Sequence, residues 1–106
     1  MNSDDFSGHV SRVLGDIEDM TRKGQKEYAR IENVFQNFES VAKEIDSERE
    51  KVLWTYAMKH KDGIAAYLRG HVSQREPVTG RILDLIVYLV ILWAMVEQNE
   101  NAIDDS

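Results

Sequence analysis

Residues 81–96 read RILDLIVYLVILWAMV, and the reading of this run decides the fold. From Ile82 to Val96 only Asp84 is charged or strongly polar. The run is shorter than the roughly 18 to 20 residues that a membrane span needs, and a carboxylate near its start raises the cost of insertion. A buried helix and no membrane association are therefore expected. A helix apolar almost all round must lie between other elements, so the run predicts a homo-oligomer whose interface includes Leu89, Trp93, Val96 or their neighbours. The alternative is that the first helix of the same chain covers the excess.

Working outward, Pro77 suits the first turn of this fourth helix because its missing amide is not needed there, and Gly80 would permit close approach of a neighbouring backbone. The helix is expected to end near Gln98, leaving 99–106 as an acidic, fraying tail. Upstream, Leu53, Tyr56, Ala57, His60, Ile64, Tyr67 and Leu68 recur at helical spacing. Ser47 and Glu50 have the spacing of a capping box for that third helix, and Gly70 stands where a left-handed C-cap belongs. Gly63 inside it predicts a kink or a close helix contact.

A second helix is expected over about 25–45, with Tyr28, Ile31, Phe35, Phe38, Ala42 and Ile45 stepping by three and four. Gly24 would separate it from a first helix over about 3–22, whose apolar face is Phe6, Val10, Val13, Leu14, Ile17 and Met20. Over most of the chain the apolar residues recur at helical rather than alternating spacing. The expectation is an all-α protein, a four-helix bundle: an amphipathic N-terminal helix over 1–23, a helical core over 24–98 and the tail.

Composition narrows the function classes. The 106 residues hold 13 Lys and Arg against 19 Asp and Glu, a net charge of −6, with no basic stripe. DNA or RNA is not an expected partner, because phosphate backbones are bound by clustered cations. The absence of cysteine removes disulfides, thiolate metal sites and cysteine nucleophiles. The polar, acidic start Met1–Asp5 is unlike a secretory signal, so a cytoplasmic location is expected. Gly-rich phosphate loops, GxSxG and HExxH are all missing.

The chemistry left to such a chain lies in its few misplaced polar residues. Asp84, inside the apolar run, must be ion-paired, coordinated to a metal or protonated. Arg81 three residues earlier could pair with it at the bundle edge, or the two could belong to a metal or phosphate site between helices. Lys59 and Asp62 share a face of the third helix, while His60 falls in the apolar stripe, where a histidine is more often a satisfied core residue than a ligand. On the second helix the acids, Glu32 among them, suit a solvated face. Asn37 beside Phe38 could reach a ligand in the groove or cap a loop.

Several pieces, in order and spacing, resemble the MazG-like all-α nucleoside triphosphate pyrophosphohydrolases, especially small phage-encoded relatives. They are Glu27-Tyr28-Ala29-Arg30 leading to Phe35-Gln36-Asn37-Phe38, then Lys59-His60, then Glu76-Pro77 with Gly80-Arg81-Ile82-Leu83-Asp84 and Tyr88-Leu89. Together they span about 24–96. The resemblance implies a nucleotide as ligand and Mg²⁺ as cofactor, held by two pairs of carboxylates, each pair spaced by three. The counterparts by spacing are Lys59 with Asp62 and Arg81 with Asp84, so two of four carboxylates are replaced by cations. It implies Asp84 and Asp62 as catalytic and metal-directed residues with Glu32 as a further ligand, and Lys59, His60, Arg81 and Asn37 as substrate-directed residues. The rival expectation is a non-enzymatic helical interaction module, such as a phage accessory protein.

Overall fold

The computed structural model describes residues 1–27, 33–71 and 77–104. Among these there are four helices and no strand: α1 (Ser3–Glu27), α2 (Gln36–Glu44), α3 (Arg49–Leu68) and α4 (Val78–Asp104). They fall into two compact units, Met1–Val34 and Phe35–Ser106.

The first unit contains α1. Asn2 caps it, its Oδ1 accepting a 2.8 Å hydrogen bond from the Asp5 amide, and Asp4 and Asp5 favour the positive end of the helix dipole. The helix passes through Gly8 and Gly15 and, contrary to expectation, through Gly24 as well, ending at Glu27. A glycine in a helix interior costs about 1 kcal/mol relative to alanine, which a helix of this length tolerates. Tyr28 and Ile31, placed by sequence on the second helix, lie outside the described residues, as does Glu32.

The second unit is built on α3, which packs against both α2 and α4. Its innermost residues are Ala42 of α2, Val52, Leu53 and Ala57 of α3, and Met95 of α4; Leu53 and Met95 are fully enclosed. The turns that end α2 and α3 are made alike. Ser47 N–H donates to Ala42 O at 2.8 Å and His71 N–H donates to Ala66 O at 3.1 Å, the six-to-one bond of a Schellman motif. The left-handed residue each motif requires is Asp46, with φ 53°, in the first and Gly70, with φ 90°, in the second.

Four expectations are corrected here. The capping box does not form: Glu48 occupies the cap position of α3 with an extended backbone and no side-chain cap bond. The Glu50 carboxylate is instead engaged by Arg49 and Asn99. Gly80 meets no neighbouring backbone among the described residues; a Cβ there would lie 3.8 Å from the ring of Pro77. The helix does not stop near Gln98 but continues to Asp104, and Asn99 is held by two hydrogen bonds. Lastly, α4 is not a buried helix, for Met95 is its one buried residue among those described, while Leu89, Trp93 and Val96 are exposed. Over Val78–Ile103 it is long and apolar enough to cross a membrane.

Candidate functional site

The contact between α3 and α4 changes character along its length. Toward one end it is apolar, with Leu53 of α3 and Met95 of α4 both fully enclosed. Toward the other, His60 and Gly63 of α3, one turn apart, meet Asp84 and Arg81 of α4, also one turn apart. Equal spacing on facing helices makes two rungs, His60 to Asp84 and Gly63 to Arg81.

In the first rung Asp84 Oδ2 stands 3.6 Å from His60 Nδ1, within reach of electrostatic attraction to a protonated ring and beyond hydrogen-bond length. His60 is 14% exposed and Asp84 33%. Nδ1 is the one buried side-chain polar atom among the described residues that makes no hydrogen bond. The Tyr88 ring lies beside the imidazole, centroids 5.5 Å apart, and Phe38 of α2 meets both Tyr88 and Tyr56 edge-on at 6.4 and 6.0 Å. Burial, and then the negative charge of Asp84, push the Tyr88 phenol above its ordinary range.

In the second rung the Arg81 side chain lies across Gly63. A Cβ on Gly63 would sit 2.5 Å from Arg81 Nη1 and 2.7 Å from its Cδ. The glycine therefore clears the space that the arginine occupies, which is the close helix contact expected at that position.

Of the residues singled out by sequence, the structure thus brings His60, Arg81 and Asp84 together. Lys59, Asp62 and Asn37 are exposed on their helices, and Glu32 lies outside the described residues. His60 does fall on the packed face, but unsatisfied rather than satisfied.

Sequence reasoning missed a second polar cluster, centred on Arg49. Its guanidinium donates to Glu39 Oε1 at 2.8 Å, to Glu50 Oε1 at 3.1 Å, to Asn99 Oδ1 at 2.9 Å and, at 3.4 Å, to the carbonyl of Met95. It also lies over the Phe35 ring at 4.8 Å. Asn99 closes the ring by donating to Glu50 Oε1 at 2.7 Å. Burial opposes ionisation of Glu50, but hydrogen bonds from Asn99, the backbone and Arg49, with the arginine's charge, outweigh it and hold the carboxyl below its usual range. All of these partners are internal, so this cluster joins α2, α3 and α4 and has the character of a structural clamp.

Mg²⁺ takes about six hard oxygen ligands in a near-octahedral shell, usually one or two carboxylates plus water and phosphate. Among the described residues no three His, Asp or Glu side chains are placed to hold a metal ion. The described residues alone therefore do not fit a carboxylate-rich Mg²⁺ centre, and no step through a metal is derived. A scan against models of protein families, and searches of curated proteins and of solved structures, find no match to the chain. The site is accordingly interpreted from its own geometry.

Proposed function

We propose that the chain is a nucleotide-binding protein of the MazG-like kind, and that the polar half of the α3–α4 contact is its phosphate site. The observation that carries this reading is the unsatisfied Nδ1 of His60, enclosed beside Asp84 and Tyr88, with Arg81 one turn away over Gly63. A buried polar atom without a hydrogen bond costs on the order of 1–3 kcal/mol, and a catalytic role or a bound water or ion is among the usual reasons for one. A well-packed apolar pair in place of the His60–Asp84 rung would serve the contact at least as well, so its polarity is not required for packing.

In this reading Arg81 offers the planar fork that matches a phosphate's oxygens, and Lys59 adds an exposed positive charge nearby in sequence. Asp84 holds the imidazole by attraction when it is protonated, and Asn37 addresses the rest of the ligand. Extension to pyrophosphate-releasing hydrolysis would need Mg²⁺ as well, and the described residues alone do not fit such a centre. The rival reading, a helical interaction module without catalysis, is favoured by the apolar residues exposed along α4.

Incubation with a panel of nucleoside triphosphates, with and without Mg²⁺ or Mn²⁺, tests the reading. Binding should raise the melting temperature, by about 2.7 kcal/mol of stability at a hundredfold excess over Kd. Arg81→Ala should abolish the rise while leaving the helical circular dichroism intact. Pyrophosphate release tests the catalytic extension separately. A folded protein that shows no shift with any nucleotide, with or without metal, would sink the proposal.

A further inference from the structure

Mg²⁺, which the resemblance implies, and the side chains that meet between α3 and α4 do not suit one another. On α3 the residues that face the polar rungs are His60 and Gly63. Successive residues of a helix are turned by about 100°, so Asp62 lies about 160° round from His60 and about 100° from Gly63. Its exposure agrees with that placement. Asp62 is therefore not directed at Asp84, and the two rungs hold one carboxylate, one imidazole and one guanidinium.

That set of groups suits an anion better than a dication. One carboxylate only begins the near-octahedral oxygen shell that Mg²⁺ demands. A guanidinium one helical turn from that carboxylate, where side chains are neighbours, repels the ion. Gly63 shows that the place of the guanidinium is built into the contact, since a Cβ there would sit 2.5 Å from Arg81 Nη1 and 2.8 Å from its Cζ. Here α3 gives up its own side chain to seat a cation. Lys59, exposed and one turn before Gly63 on the same ridge of α3, adds a second positive charge. Cations set against a polyphosphate neutralise it directly, which is the electrostatic part a metal otherwise plays.

We infer, on the nucleotide-binding reading above, that the ligand of this site is the metal-free polyphosphate anion of a nucleotide, and that Mg²⁺ weakens its binding. Complexed Mg²⁺ cancels part of the negative charge that Arg81 and Lys59 attract. A unit charge about 6 Å from a cation in a water-like medium changes Kd about threefold, so the metal-free ligand should bind at least about threefold more tightly than its Mg²⁺ complex. Asp84 then opposes the ligand, because its carboxylate repels phosphate. As a metal ligand it would have the reverse effect.

Titration calorimetry of the full chain reads the difference. Each common nucleoside triphosphate, and inorganic triphosphate, is titrated in EDTA and in excess Mg²⁺ at matched ionic strength. The expected ratio of Kd values favours EDTA by about threefold or more. Lys59→Gln, at an exposed position, should bring that ratio toward one with helical circular dichroism unchanged. Asp84→Asn should tighten metal-free binding about threefold. Binding that requires Mg²⁺ or is tightened by it, or a helical Asp84→Asn chain that loses affinity in EDTA, would overturn the inference. The wild-type ratio needs no variant to fold. Absence of binding in both conditions removes the nucleotide reading and this inference with it, whereas binding that depends on Mg²⁺ removes this inference alone.

Discussion

Replacing Arg49 with alanine is expected to be among the most damaging single changes in the second unit. The side chain is 16% exposed and meets groups from α2, α3 and α4 at once. Its contacts are unequal. Glu39 is 38% exposed, so that ion pair is screened and is worth less than about 1 kcal/mol. The bonds to Asn99 and to the Met95 carbonyl are charge-assisted, but the second is long at 3.4 Å, and together they contribute about 1.5 kcal/mol. Contact with the Phe35 ring adds about 0.5 kcal/mol. The loss is therefore about 3 kcal/mol, or about 12–24 °C in melting temperature for a unit of this size. Thermal unfolding followed by circular dichroism at matched protein concentration measures it. Arg49→Lys should recover less than half, because an ammonium cannot reach four acceptors with fixed fork geometry. A double-mutant cycle with Glu39→Gln should give a coupling below about 1 kcal/mol. If Arg49→Ala melts within about 2 °C of the wild type, the clamp contributes nothing and the reasoning fails.

Leu53→Ala should cost about 2–5 kcal/mol, since the side chain is fully enclosed; urea denaturation would show a lower midpoint at nearly unchanged slope. Gly63→Ala should change stability by no more than about 1 kcal/mol, a gain in helix propensity offsetting the displacement of Arg81, yet weaken nucleotide binding, which titration calorimetry would detect. Two pH effects have opposite signs. The Glu50 carboxyl is lowered on folding, so its contribution is present above the unfolded value near 4.5 and is lost as pH falls through the folded value; Glu50→Gln should flatten that acid limb of the melting curve. The Tyr88 phenol is raised on folding, so the unfolded chain releases its proton first and stability declines as pH rises past about 10; Tyr88→Phe should reduce this alkaline loss.

The legible parts of the fold were those governed by local chemistry. Gly70 ends α3 because a left-handed turn residue is readable from one position, and Gly63 marks a close contact because no other residue leaves that space. The start of α3 departs from its capping pattern for a largely tertiary reason: the Glu50 carboxylate, instead of bonding back to the helix start, accepts from the neighbouring Arg49 and from Asn99 of α4. Asp46 was invisible as a left-handed position because aspartate rarely adopts it. The Arg49 cluster joins residues 10, 46 and 50 positions apart, a convergence that no helical periodicity encodes. Of the candidate site, the one-turn spacing of Arg81 and Asp84 was readable, but their opposition to Gly63 and His60 depends on the register of two helices and appears only after folding.

That register has an unusual origin. Among the described residues, the one that α4 gives to the enclosed core is Met95, whose unbranched thioether adapts to many surroundings and so defines no unique fit. Position along α3 is marked instead by contacts near opposite ends, the Arg49–Asn99 hydrogen bond at one and, at the other, Arg81 lying across Gly63 beside the approach of His60 to Asp84. Weakening these contacts is therefore expected to displace α4 along α3 with its secondary structure intact, rather than to unravel it.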